Sequence, residues 1–138
     1  TQMTRGVARS LTLKQFAPIL KVPGILFVAL QHDMTLAELQ TVPNEILSWP
    51  HLVKQLDSLA SLIAACDEIV TVCGTNVHLA GAMEKPVTVL APHVPEWRYL
   101  FKGDWLPWYP RVRVVRQPQY GAWDPVIEQV GFEVTSRA

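Results

Sequence analysis

The sequence predicts an α/β domain with a mostly parallel sheet of about four or five strands and helices on both faces. Three observations carry this. Between Asp57 and Leu90, apolar stripes at helical spacing alternate with short β-branched runs, joined by links of a few residues. Ile25-Leu-Phe-Val-Ala-Leu30 is apolar at every position, as in a strand buried on both faces of a parallel sheet. Finally, 138 residues with 49% hydrophobic and 17% charged side chains can build one core and are too apolar for a disordered chain. The expectation is a single domain over residues 1–138.

The elements follow in chain order. Thr12-Leu-Lys-Gln15 is a capping-box pattern, and Leu13, Phe16, Ala17 and Leu20 form one apolar stripe behind it. Pro18 interrupts that stripe, so a kinked or short helix is expected, ended by Pro23-Gly24. The apolar strand 25–30 comes next. Residues 31–57 are less legible, with a second capping box at Thr35-Leu-Ala-Glu38, a short helix near 36–41, and breaks at Pro43 and Pro50. Leu59, Leu62, Ile63 and Cys66 then share a helical face, with Asp57 or Ser58 as the cap. Asp67-Glu68 turns into a β-branched strand, Ile69-Val-Thr-Val72. Cys73-Gly74-Thr75-Asn76 reads as a turn before a helix from Val77 to Glu84, which Lys85-Pro86 closes ahead of strand Val87–Leu90. Arg111-Val-Arg-Val-Val-Arg116 alternates like an exposed or edge strand, and Asp124-Pro125 is a strong helix start.

Composition excludes several classes. The six apolar residues at 25–30 are the longest such run, far short of the roughly 20 that span a bilayer. Twelve Lys/Arg balance twelve Asp/Glu, so no global field draws in nucleic acid or an anionic membrane. Two cysteines, Cys66 and Cys73, neither make a disulfide scaffold nor match a zinc spacing. The expectation is a soluble domain from a reducing compartment, the cytoplasm. The first residues, TQMTRGVARS, are polar and turn-like, as in a piece of a longer chain.

The stretch from Val70 to Ala82 carries the most chemistry. A buried strand runs into Gly74-Thr75-Asn76 and opens a helix whose first amides lack internal acceptors and whose dipole is positive at that end. Gly74 allows an unusual φ or the close approach of another group, and Thr75 can cap the helix or donate to a ligand. Ala80, Gly81 and Ala82 let the helix lie close to the sheet. Such a turn holds a diphosphate without a P-loop lysine. It is also what any βα turn looks like. His78, at the second or third helical position, faces the same pocket or simply packs. Trp97 can stack on a base and Arg98 can pair with phosphate, while Trp105, Trp108 and Pro110 read equally well as a hydrophobic clasp over a loop. The basic groups Arg5, Arg9, Lys14, Lys21 and Arg111, Arg113, Arg116 are solvated surface unless the fold gathers them into one anion cleft. Cys66 lies on an apolar face and Cys73 is a weak nucleophile candidate.

Leu62-Ile-Ala-Ala-Cys-Asp67, Thr75-Asn-Val-His-Leu-Ala-Gly-Ala82, Lys85-Pro-Val87, Pro95-Glu-Trp-Arg98, Pro107-Trp-Tyr-Pro110 and Arg116-Gln117 together resemble the C-terminal, donor-binding half of GT-B glycosyltransferases. The group most similar is the bacterial proteins in which tetratricopeptide repeats are fused to a glycosyltransferase domain, relatives of the O-linked N-acetylglucosamine transferases and, more distantly, the heptosyltransferases. The resemblance spans about Arg9 to Val130. It implies a three-layer Rossmann-like domain that holds a nucleotide-diphosphate sugar against a helix N-terminus. It also implies partners: the N-terminal GT-B half, which supplies acceptor and catalytic base across a cleft, and a tetratricopeptide region. By position, Gly74, Thr75, Asn76 and Val77 match the diphosphate-holding turn and His78 the histidine after it. Arg9-Ser10 match an Arg-Ser near the domain start, and Pro92, Trp97 and Arg98 fall in the segment near the nucleoside. Many relatives carry Asp-Thr-Ser or Asp-Thr-Gly at the turn, where this chain has Gly74-Thr75-Asn76 and no carboxylate.

Two functions follow as expectations. One is the nucleotide-sugar-binding half of a glycosyltransferase, inactive alone, with departing diphosphate stabilised at Thr75–Val77 and helped by Arg9 and His78. It would need no metal and no cofactor, since helix amides and cationic side chains can neutralise the leaving group. The other is a non-catalytic interaction module that kept the fold and lost the donor. A flavodoxin-like or phosphoesterase domain would want a phosphate loop or a carboxylate cluster, and the sequence has neither.

Overall fold

A computed structural model describes residues 6–42 and 45–137. Arg5 of the N-terminal basic group, the first five turn-like residues and the break expected at Pro43 lie outside the described residues. The chain is α/β. Its order is α1 (Leu13–Leu20), β1 (Phe27–Ala29), α2 (Leu36–Leu39), β2 (Ile46–Ser48), α3 (Pro50–Val53), α4 (Leu56–Ala65), β3 (Ile69–Val72), α5 (Thr75–Ala82), β4 (Val87–Ala91), β5 (Val112–Arg116) and α6 (Asp124–Arg137). Short 3-10 turns occupy Gly6–Arg9 and Trp97–Tyr99. The strand count matches expectation, but the strands form two parallel sheets, β1-β2 and β3-β4-β5, rather than one.

The fold comprises two compact units, one from the described residues of Thr1–Leu11 with Asp67–Val126, the other from Thr12–Cys66 with Ile127–Ala138. In the first, β3, β4 and β5 run parallel in register, Val72 beside Leu90 and Leu90 beside Val115. Parallel neighbours need a crossover, and α5 supplies the one between β3 and β4. All five residues of β4 are buried, as a central strand of a covered sheet should be. Val77 and Ala80 of α5 are wholly buried, as are Val89, Leu90 and Val112 of the strands. Each such Val or Leu contributes roughly 1.5–3 kcal/mol. β5 lies at the sheet edge, yet Val112, Val114 and Val115 are buried, so it is an edge strand without being an exposed one.

Helix α5 is displaced from the expected span. It starts two residues earlier because Gly74 (φ 174°, ψ −171°) is extended and serves as N-cap, which puts Thr75 and Asn76 inside the helix. It stops at Ala82 because Glu84 turns left-handed (φ 55°) before Lys85-Pro86.

In the second unit both capping boxes form: Gln15 N–H donates to the Thr12 hydroxyl and Glu38 N–H to that of Thr35. α1 holds Pro18 inside two short turns. A methyl group added at Gly131 of α6 would stand 3.8 Å from the Ile19 side chain, ordinary contact, so α6 packs on the end of α1. Three local readings are corrected. β1 has only three residues and is not buried on both faces: Phe27 and Val28 are half-buried, and Leu26 before the strand is 70% exposed. α4 begins at Leu56 behind extended Gln55, so Asp57 sits in the first turn, where its charge complements the helix dipole, instead of capping it. Pro50, expected only as a break, is the first residue of α3, where its missing amide costs nothing.

Candidate functional site

The first unit presents the ends of three parallel strands on one rim, and β3 passes through Cys73 and Gly74 into α5 there. At Gly74 the backbone is ordinary extended chain, and an added Cβ would meet only the Val72 carbonyl oxygen, at 3.9 Å. The glycine is therefore not needed for an unusual φ. Its effect is a missing side chain: no side chain at the N-cap takes up the first amides of α5.

Those amides fare differently. Gly74 N–H donates to the Tyr99 hydroxyl at 3.0 Å. Val77 N–H donates to the Gly74 carbonyl at 3.2 Å, and the Val77 side chain is core, so this residue has no donor to offer outward. Thr75 is exposed, and its N–H has no acceptor among the described residues. Asn76 beside it is half-buried.

His78 is the fourth helical residue, one place further along than the sequence reading. It stands between two tyrosines, with Nε2 3.3 Å from the Tyr99 hydroxyl and Nδ1 3.4 Å from the Tyr109 hydroxyl. Burial, then the Arg98 charge, lowers its pKa, against a smaller pull upward from Glu96. The balance favours the neutral ring. Tyr99 is only 1% exposed, and burial raises its phenol pKa. Its segment is clamped by Arg116, whose guanidinium donates to the carbonyls of Tyr99 (2.5 Å), Leu100 and Gly103.

Gly81 has a role other than close approach to the sheet. A Cβ placed there would fall 2.6, 2.8 and 3.0 Å from Cγ, Cδ2 and Cδ1 of Tyr109. The Tyr109 ring fills the notch that the glycine leaves, while its hydroxyl reaches back along α5 to His78, toward the helix N-terminus.

Arginine chemistry is also gathered on this rim. Arg9 Nη1 lies 2.8 Å from Glu96 Oε1, and Arg98 Nη2 lies 2.5 Å from Glu96 Oε2. The hydrogen bond from Arg98 is the main cause that holds the Glu96 carboxyl below its usual range. Arg9, Glu96 and Arg116 are all close enough to act on the Cys73 thiol. Burial dominates there, pushing Cys73 up to about 12, so it is no nucleophile at neutral pH. The C-terminal arginines divide. Arg111 donates to the Glu84 carbonyl just past the far end of α5, and Arg116 is spent on loop carbonyls. Only Arg116 of these two belongs to the rim.

The remaining candidates make contacts of their own. Ser10 Oγ donates to the Gly6 carbonyl within its own 3-10 turn. Pro92 is buried in the loop after β4. Trp97 is 71% exposed, edge-on to Trp108 at 6.4 Å, with Arg98 stacked 5.9 Å from its ring centre. Trp108, itself 48% exposed, donates from Nε1 to the Arg98 carbonyl at 2.8 Å. Among the described residues no three His, Cys, Asp or Glu side chains gather to hold a metal ion, and no helix is long and apolar enough to cross a membrane.

Sequence reasoning missed Tyr99, Tyr109 and Glu96. Tyr109 lies in Pro107-Trp-Tyr-Pro110 and Glu96 in Pro95-Glu-Trp-Arg98, both already singled out as motifs, but nothing local ties them to a turn 20 to 35 residues away.

The chain is 33% identical over 119 residues to Protein FlbA of Caulobacter vibrioides, a match that takes in 82% of this chain and 20% of that protein. The chain thus spans about a fifth of FlbA's length. No family model matches the chain, and no solved structure matches it significantly.

Proposed function

We propose that this chain is the nucleotide-diphosphate-sugar-binding half of a glycosyltransferase, Rossmann-like and of the GT-B type, which seats the donor diphosphate at the N-terminus of α5. One observation carries the reading. A parallel strand delivers an uncapped helix to the rim of the sheet, with Arg9 and Arg98 turned onto a single carboxylate among the same rim residues. In parallel α/β sheets the carboxyl ends of the strands are where ligands bind. A diphosphate there would accept from Thr75 N–H and exchange with Glu96 for the two guanidinium groups. In transfer, the same groups would stabilise the charge that builds on the departing diphosphate. The acceptor and a general base would come from a second half, so the chain by itself binds the donor and does not turn it over.

The test is calorimetry with UDP, GDP and ADP on the wild type and on Thr75→Pro. Proline suits this position: it is the first helical residue, and Gly74 before it is already extended. The variant therefore keeps the fold and loses one amide donor. Hydrogen bonds to charged groups are worth about 1.5–3 kcal/mol, so affinity should fall about tenfold or more. Equal heats for wild type and variant, or no nucleotide binding at all, would refute the site.

One observation favours a second reading, a non-catalytic interaction module. Glu96 already pairs with both Arg9 and Arg98, and no carboxylate stands at residue 74. Thermal shift separates the two, since a ligand at 100 times its Kd stabilises by about 2.7 kcal/mol.

A further inference from the structure

We infer that Tyr99, His78 and Tyr109 form a directed hydrogen-bond chain that makes the Tyr109 hydroxyl an outward-facing donor for the ligand at the α5 N-terminus, with Tyr99 and His78 as positioning residues. The ligand class is an anion bearing phosphate oxygens. This rests on the donor reading above and adds a residue to it.

The direction of the chain follows from counting donors and acceptors. Tyr99 Oη accepts from Gly74 N–H at 3.0 Å. Tyr99 is 1% exposed, so its hydroxyl proton cannot be left to water and must find an acceptor. The group in reach is His78 Nε2, at 3.3 Å. That nitrogen must then carry no proton, which puts the proton on Nδ1 in the neutral ring. Nδ1–H in turn faces Tyr109 Oη at 3.4 Å and donates to it. With one lone pair engaged by His78, the Tyr109 hydroxyl keeps its own proton to give, and among the described residues no acceptor takes it. The opposite direction fails. It would place two donors, Gly74 N–H and His78 Nε2–H, on Tyr99 and strand the buried phenol proton.

Position supports direction. The Tyr109 ring is seated at Gly81 and its hydroxyl lies at His78, one turn nearer the helix N-terminus. Thr75 is one further turn along the same face, since residues three and four apart are neighbours on a helix. The exposed Thr75 amide and the Tyr109 hydroxyl therefore both belong to the N-terminal end of α5. A neutral histidine also fits this arrangement: its task is to orient a phenol, and a charged ring could not accept from Tyr99.

Imidazole nitrogen NMR of the ¹⁵N-histidine-labelled chain reads the tautomer directly, with His78→Gln giving the assignment. The expected wild-type pattern at pH 7.5 is protonated Nδ1 and bare Nε2. Tyr99→Phe, which keeps the ring and removes the hydroxyl, should shift His78 toward the Nε2–H form that free imidazole prefers. Tyr109→Phe should leave melting temperature within about 2 °C, yet weaken UDP binding about tenfold or more. A wild-type Nε2–H ring overturns the inference. Wild-type affinity in Tyr109→Phe alongside weakened Thr75→Pro overturns it while leaving the donor site standing. Absence of UDP, GDP and ADP binding to wild type overturns both.

Discussion

Gly81→Ala should change sign with its background. In the interior of a helix, alanine is favoured over glycine by about 1 kcal/mol. Here the new methyl would stand 2.6 Å from Cγ and 2.8 Å from Cδ2 of Tyr109. These atoms belong to the near edge of a rigid ring, so they cannot swing aside as the end of a flexible side chain would. The ring must retreat by close to 1 Å, and overpacking of this kind costs about 1–3 kcal/mol. The net effect in wild type is a loss of up to about 2 kcal/mol. For 138 residues the unfolding entropy converts each kcal/mol into about 3–4 °C of Tm. In a Tyr109→Ala background the obstacle is gone, and Gly81→Ala should raise Tm by about 3 °C. A double-mutant cycle by thermal denaturation should therefore return a coupling of about 1–3 kcal/mol with the sign of a clash. If Gly81→Ala raises Tm equally in both backgrounds, the Tyr109 ring does not sit on Gly81 and the orientation of its hydroxyl loses its support.

Two further outcomes follow from protonation. Cys73, at about 12, is ionised in roughly one molecule in ten thousand at pH 8; iodoacetamide should label half-buried Cys66 well before Cys73, as peptide mass spectrometry would show, and equal labelling would contradict the burial. Glu96 has its carboxyl held down by Arg98, so its contribution is complete above the ordinary glutamate range near 4.5 and fades as pH falls through the depressed folded value. Wild type should accordingly lose more Tm than Glu96→Gln between pH 5.5 and 3.5, and parallel losses would show that the pair is not stabilising.

What could be read in the sequence was what neighbours in the chain decide. Thr12 with Gln15 and Thr35 with Glu38 fix helix starts within four residues, and both boxes form. Ile69–Val72 is a strand over the expected residues because β-branched side chains fill it end to end. By contrast Ile46-Leu-Ser48 has neither alternation nor β-branched density, and pairing with β1 alone makes it a strand. The turn at 74–76 was legible as a helix entrance, but its exact phase was not. Extended glycine is silent in sequence, and it moved the start of α5 by two residues and His78 by one position. Tyr99 and Tyr109 were not legible because they reach Gly74 and His78 across 25 and 31 residues, through packing of the β4–β5 connection. Gly81 was the available clue, a buried glycine inside a helix whose missing side chain had to face something.

The rim also shows why the two functional readings differ by a single carboxylate. Arg9 and Arg98 carry two positive charges and Glu96 one negative, so the cluster keeps a net positive charge even when fully paired. Both ion pairs are partly open to solvent, and pairs of that kind are worth no more than about 1 kcal/mol each. A diphosphate, with more charge and more acceptor oxygens than a carboxylate, can outcompete Glu96 for the same guanidinium groups while also taking the Thr75 amide. On the proposed donor reading, Glu96 would keep the arginines in place and yield them to the diphosphate. An interaction module would need no such reserve of charge, and its Arg–Glu–Arg cluster would serve as well with the helix end capped. The uncapped entrance to α5 beside an easily displaced carboxylate is what tilts the balance toward a donor site.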